Sequence, residues 1–210
     1  MSARSLLWLL LLPGAGCSTL PPSAIPANQP YVVAVLDVKM DPSMPWITHF
    51  AHHTWFDIKN GSESNWETIE ILGAETGVLH EHPDAKEVRN DIRWTKQVRV
   101  LALYTGAKAQ AMIPQLEAAV KAYPNPKEYE AWPGPNSNTF ASAVARATPG
   151  LNFIFDHNAA GKDYTPWLYA GPTTSGTGVR IDTLPLGFAL GLREGVEVHL
   201  LQLTLGVRLF

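Results

Sequence analysis

The segment Trp132–Phe140, WPGPNSNTF, places Ser137 between Asn136 and Asn138, just ahead of ASAVARA, which reads as a helix. A serine hydroxyl becomes a nucleophile only when a base removes its proton. A helix N-terminus offers free backbone N–H groups and the positive end of the helix dipole, and both stabilise an oxyanion. Ser137 therefore has part of an acyl-transfer site, with Asn136 and Asn138 supporting it and backbone N–H groups near Asn138 as oxyanion donors. Serine and asparagine are also good N-caps, so capping by Ser137 is the competing assignment.

The missing part is a base. The chain has seven histidines: His49, His52, His53, His80, His82, His157 and His199. Three crowd the segment THFAHHTWF. Neighbours on a strand point to opposite faces, so His52 and His53 cannot share a pocket. That also weighs against a three-histidine metal site there. His80 and His82, in HEH, would share a strand face, which is a weak metal signal. No metal and no cofactor is expected. GPTTSGTG lacks the lysine of a phosphate loop and reads as a surface loop. Asp163, after Gly161 and Lys162, is expected to anchor its loop by accepting backbone N–H bonds. Trp55 and Trp132 could line a ligand site, with core packing as the competing role.

These residues need elements to hold them. YVVAVLDV (Tyr31–Val38), FAHHTWFDI (Phe50–Ile58), WETIEIL (Trp66–Leu72) and VRVLALYTG (Val98–Gly106) read as strands. KNGSESN supplies hairpin-turn chemistry between the second and third. Ile113, Leu116 and Val120 fall at helical spacing in an alanine-rich run that Pro124 and Pro126 end. A short helix spans Asn138–Ala147, LNFIF reads as a strand, and VEVHLLQLTLGVRLF reads as a strand with a bulge between Leu200 and Leu201. The order predicts an α+β fold with a mainly antiparallel sheet and two helices.

Composition narrows the function. Of 210 residues, 46% are hydrophobic and 17% charged, with a net charge of −3 in no long runs. This suits one domain with a core of its own and disfavours nucleic acid as partner. Residues 1–17 carry Arg4, an apolar run and small residues up to Cys17, the anatomy of a signal peptide. Cys17 is the only cysteine and follows GAG, in a pattern resembling a bacterial lipobox. Lipidation at Cys17 would make a membrane-anchored lipoprotein, at the outer membrane and facing the periplasm. Residues 18–30 hold four prolines and no charge and read as a tether. Residues 31–210 form the domain.

WPGPNSNTF, with HHTWF upstream and AAGKDY downstream, resembles the bacterial domain of unknown function 3750 family, from about Tyr31 to the C-terminus. That family brings no activity. More distantly, HTWF and NSNTF resemble, in this order, two motifs of circularly permuted papain-like proteins of the NlpC type, such as lecithin–retinol acyltransferase. The second of those motifs opens a helix with a nucleophilic cysteine. This resemblance implies a permuted papain-like arrangement, Ser137 in the cysteine's place and His53 as its base, oriented by a third polar residue, His80 or His82. It implies a hydrolase or acyltransferase acting on an amide or ester, with a peptidoglycan peptide or a lipid as substrate. A dipole and an imidazolium stabilise a thiolate but not a serine alkoxide, so the alternative is a binding module that keeps the groove without catalysis.

Overall fold

The computed structural model describes residues 20–40, 51–62, 66–73 and 98–208, together with the strand backbone of 79–85. Cys17 and His49 lie outside these residues. The fold is α+β, with two helices and two antiparallel sheets.

The first sheet contains β1 (Tyr31–Lys39), β2 (His52–Asn60), β3 (Trp66–Ile71), β4 (Leu79–Ala85) and β5 (Arg99–Thr105), in the order β4-β3-β2-β1-β5. Strand alternation divides its side chains into two cores. Val33, Val35, Phe56, Ile58, Ile69 and Ile71 face the helices α1 (Gly106–Lys121) and α2 (Ser137–Ala147). Val32, Ala34, Leu36, Val38, Trp55, Trp66 and Val100 form a separate core on the other face. Burial on both sides is why β1 is apolar from Tyr31 to Val38 except for Asp37, with exposed Lys39 at its end. Helix α1 buries Ala109, Met112, Ile113, Leu116, Ala119 and Val120 at the expected helical spacing. Phe140 of α2 packs edge-on to Phe56 and Tyr123.

The stretch read as a tether is packed from Leu20 onward. Leu20 bridges Val100, Ile25 is buried in the second core, and Lys59 Nζ donates to Ala27 O at 2.9 Å. Its prolines and lack of charge suit a segment laid on an apolar sheet as well as a linker.

The second sheet contains β6 (Tyr169–Pro172), β7 (Gly178–Asp182), β8 (Leu186–Gly191), β9 (Gly195–Leu200) and β10 (Leu203–Val207), in the order β10-β9-β8-β7-β6. The C-terminal run is thus two strands rather than one bulged strand. Leu200 pairs with Leu203 across a two-residue turn, Leu201–Gln202. Both turn residues have positive φ, 48° and 67°, which normally favours Asn and Gly. Leu201 N donates to Pro185 O at 3.0 Å, and Gln202 Nε2 donates to Thr183 O at 3.0 Å and Leu184 O at 3.1 Å. These bonds hold the turn where the residue types give no turn signal. LNFIF is not a strand: Leu151, Phe153, Ile154 and Phe155 are buried, but no sheet ladder runs through them. Their apolar character reflects core packing alone.

Candidate functional site

The cap of α2 falls one residue before Ser137. Asn136 Oδ1 accepts from Asn138 N at 3.0 Å and from Thr139 N at 3.2 Å, and Asn136 N donates to Thr139 Oγ1 at 3.2 Å. This is a reciprocal capping box. Asn136 Nδ2 also donates to Ala131 O at 3.1 Å and Ala160 O at 3.0 Å. Gly161, at φ +82°, lies against this asparagine, and a Cβ there would come within 2.4 Å of Asn136 Nδ2. The glycine of AAGKDY is therefore required by close approach as well as by backbone conformation.

Asn138 joins α2 to β2. Its Nδ2 donates to His52 O at 2.8 Å and Ala160 O at 3.0 Å, and its Oδ1 accepts from Thr54 Oγ1 at 2.9 Å. The Asn138 amide expected to serve as an oxyanion donor is already held by Asn136. Ser137 is buried, at 4% exposure, and among the described residues its hydroxyl has no hydrogen-bonding partner. The assignment of Ser137 as cap is thus replaced by Asn136.

The histidine beside this helix is His52. His52, Thr54, Phe56 and Ile58 alternate onto the helix-facing side of β2, where Phe56 and Ile58 join the helix-side core. His52 Nδ1 lies 2.9 Å from Asp37 Oδ2, and Asp37 is fully buried. Arg99 Nε donates to the same oxygen at 3.1 Å, and its Nη2 bonds Asp37 as well as Asp156 Oδ2, the latter at 3.1 Å. Burial lowers the Arg99 pKa, but the Asp37 charge outweighs it and holds the guanidinium above its ordinary value. Burial raises the Asp156 pKa, but the Asn158 N–H bond and the charges of His52 and Arg99 bring it below normal. A cavity of about 310 Å³ opens next to Ala51, the residue before His52, and is lined also by His157, Asn158, Ala160, Leu203, Thr204 and Leu205.

Nδ1 of His52 also lies 2.9 Å from Arg99 Nη2. A guanidinium only donates and a carboxylate only accepts, so one nitrogen cannot bond both at once. Donation from Nδ1 to Asp37 leaves Nε2 with its lone pair. Acceptance from Arg99 puts the proton on Nε2 and removes the base.

His53 is on the opposite face of β2. Its ring stacks on Trp55 with centroids 5.5 Å apart, and Nε2 lies 2.8 Å from Glu70 Oε2 on β3. His53 therefore does not meet Ser137, because the sheet separates them. Trp55 lies on that same far face, in its apolar core. Trp132 is half exposed, and its Nε1 donates to Leu201 O at 2.8 Å, so it ties the cis-proline loop to the β9–β10 turn. His80 and His82 lie on β4, in register with Glu70 and Thr68 of β3, and β3 separates β4 from β2. The carboxylate that meets the helix-side histidine comes instead from β1.

Asp163 anchors its loop through side chains rather than backbone amides. It is buried and bonded by Lys162 Nζ and Arg180 Nη1, with His199 Nε2 at 3.3 Å and Thr204 Oγ1 at 3.3 Å. Glu197 takes Lys162 Nζ at 2.9 Å, and Asp182 faces Arg180 Nε at 3.2 Å and His199 Nδ1 at 2.5 Å. Three cations thus face three carboxylates on the inner side of the second sheet. Burial raises the Asp163 pKa, but Lys162 and Arg180 bring it down to about 2. Burial lowers the His199 pKa, but Asp182 and Glu197 push it up to about 9. Asp163, Glu197 and His199 lie close enough to share a metal ion. The Lys162 ammonium already bridges Asp163 and Glu197, supplying the positive charge a metal would bring.

Sequence reasoning missed Asp37, Arg99 and the choice of His52. Asp37 had a signal: one charge within a continuous apolar strand, which is found buried only with a partner. Neither face of β2 is solvated, so polarity alone could not assign the two histidines.

The structure thus defines an α+β protein of two antiparallel sheets, with a helix N-terminus set against a buried histidine–aspartate pair. The chain belongs to the family described as protein of unknown function (DUF3750), whose pattern matches residues 33–164. The match takes in β1 through the Lys162–Asp163 loop, and the second sheet follows it, so the matched region stops short of the C-terminus. No curated protein and no solved structure matches the chain.

Proposed function

We propose that the protein is a cell-envelope hydrolase or acyltransferase that uses Ser137 as nucleophile and His52, in place of His53, as general base. The supporting observation is the His52–Asp37 pair on the helix-facing side of β2, tied to the start of α2 by the 2.8 Å bond from Asn138 to His52 O. Asp37 would hold the imidazole with Nδ1 protonated and Nε2 free, as an orienting carboxylate does. Ser137 Oγ attacks an ester or amide carbonyl carbon while Nε2 takes the hydroxyl proton. The tetrahedral intermediate collapses, and the leaving alcohol or amine takes that proton back. Water, or a second acceptor, then releases the acyl group. The cavity next to Ala51, with Ala160, Leu203 and Leu205 in its lining, would take the acyl portion. Cys17 lipidation would hold the domain at the outer membrane, facing periplasmic substrates such as a peptidoglycan peptide or a lipid.

The test is labelling by a fluorophosphonate that reacts with activated serines. Wild type and His53→Gln should label, while Ser137→Ala and His52→Ala should not. Labelling that survives Ser137→Ala, or its absence from folded wild type, overturns the proposal.

A second reading has its own observation. Arg99 Nη2 stands 2.9 Å from His52 Nδ1. Donation along that line removes the base and leaves a cavity with Ala51, Ala160, Leu203 and Leu205 in its lining, suited to binding alone.

A further inference from the structure

The second sheet is inside out. Its inner face carries Arg180, Asp182, Glu197 and His199, all buried. Its outer face carries Val179 and Ile181 on β7, Leu186, Phe188 and Leu190 on β8, Val196, Val198 and Leu200 on β9, and Leu203, Leu205 and Val207 on β10. Exposures reach 64% at Val179, 59% at Leu186 and 69% at Leu205. No charged side chain stands on this face of β6–β10. The first sheet, by contrast, is covered on both faces.

Strands about 4.8 Å apart and 3.3 Å per residue make this face roughly 24 Å by 17–20 Å in plan. Half-exposed Leu, Val and Phe side chains stand out of that plane. Their accessible area approaches the ~800 Å² that each partner contributes to a standard interface, and exceeds the ~300–600 Å² patch of an ordinary monomer.

We propose that this face is the interface for a second copy of the chain, in a twofold dimer with sheet packed on sheet. Three features favour that occupant over lipid. The area matches what a stable dimer needs. A twofold contact places each patch against itself, and an uncharged patch does so without like-charge repulsion. The strands have 4–6 residues, short of the ~9–11 a membrane-crossing strand needs, and the face offers no lysine or arginine to lipid headgroups. Packing would follow aligned sandwich geometry, with Phe188 of the central strand near the twofold axis.

Cysteine cross-linking of the full chain in its envelope tests this. The wild type, whose only thiol position is Cys17, and Glu117→Cys on the exposed side of α1 serve as controls. With copper phenanthroline and oxygen oxidising the two thiols to a disulfide, Phe188→Cys should give a covalent dimer and Glu117→Cys should not. No dimer from Phe188→Cys, or equal dimer from Glu117→Cys, overturns the proposal. Sedimentation gives the second arm: wild type should show twice the mass of a Phe188→Lys variant with unchanged circular dichroism. Monomeric wild type that co-sediments with phosphatidylcholine vesicles, and loses this with Phe188→Lys, would assign the face to lipid and overturn the dimer.

Discussion

Replacing Asn136 and Ser137 separately should give very unequal losses of stability, although they are neighbours of similar burial. Asn136→Ala removes the cap oxygen that holds Asn138 N and Thr139 N. Lost caps cost about 0.5–2 kcal/mol. It also strands the carbonyls of Ala131 and Ala160, though Asn138 still reaches Ala160 O. A lost internal hydrogen bond adds about 0.5–1.5 kcal/mol. Together these give a loss of roughly 1–3.5 kcal/mol. Ser137→Ala removes a hydroxyl without a partner among the described residues, so its cost should stay within about 0.5 kcal/mol. Urea unfolding followed by tryptophan fluorescence reads both. With a slope near 2 kcal/mol per molar, Asn136→Ala should lower the midpoint by roughly 0.5–1.75 M, and Ser137→Ala by no more than about 0.25 M. Asn136→Asp keeps the cap oxygen but loses the donors, so it should fall between them. A Ser137→Ala loss as large as that of Asn136→Ala would return the capping role to Ser137 and remove the reason to seek another for it.

Other outcomes follow from the same geometry. His53→Ala should cost about 1–3 kcal/mol of stability through the lost bond to buried Glu70, yet serine labelling should survive in folded protein; loss of labelling with intact fold would contradict the placement of His53. Gly161→Ala should destabilise by more than about 1 kcal/mol, read by thermal melting, since φ is +82° and the Cβ meets Asn136; a neutral result would refute that packing. His199 has a folded pKa raised to about 9 from 6.5. Its stabilisation is complete below pH 6.5 and fades as pH rises through about 9, a loss on the order of 3 kcal/mol. Stability measured across that window should fall in wild type and stay flatter in His199→Gln; parallel profiles would count against the charge network. Palmitate should label wild type but not Cys17→Ala, and equal labelling would exclude the lipid anchor.

Much of the first sheet and both helices was legible because burial there follows simple periodicities. Ile113, Leu116 and Val120 fix α1, and the unbroken run before Asp37 fits β1 with both faces covered. The β9–β10 turn was not legible, since Leu201 and Gln202 adopt positive φ held by tertiary bonds. LNFIF misled because Phe153 and Phe155 are buried without a ladder. The second sheet defeated the rule that polar residues face water: Arg180 and Glu197 point inward to Lys162 and Asp163, and the leucines point out. At the site, NSNTF correctly marked the helix start, but choosing between His52 and His53 required knowing which face of β2 meets α2. Asp37 was visible as a lone charge, but its partner lies on another strand.

Catalysis by Ser137 requires that Asp37 hold His52 as a base. The most direct measurement is long-range ¹H–¹⁵N NMR of the His52 ring in its neutral form, assigned by comparison with His52→Gln. A protonated Nδ1 and a bare Nε2 are expected, with the pattern shifting toward the other tautomer in Asp37→Asn. A proton resident on Nε2 in the wild type, with Nδ1 accepting from Arg99, would contradict this and leave the groove as a binding site.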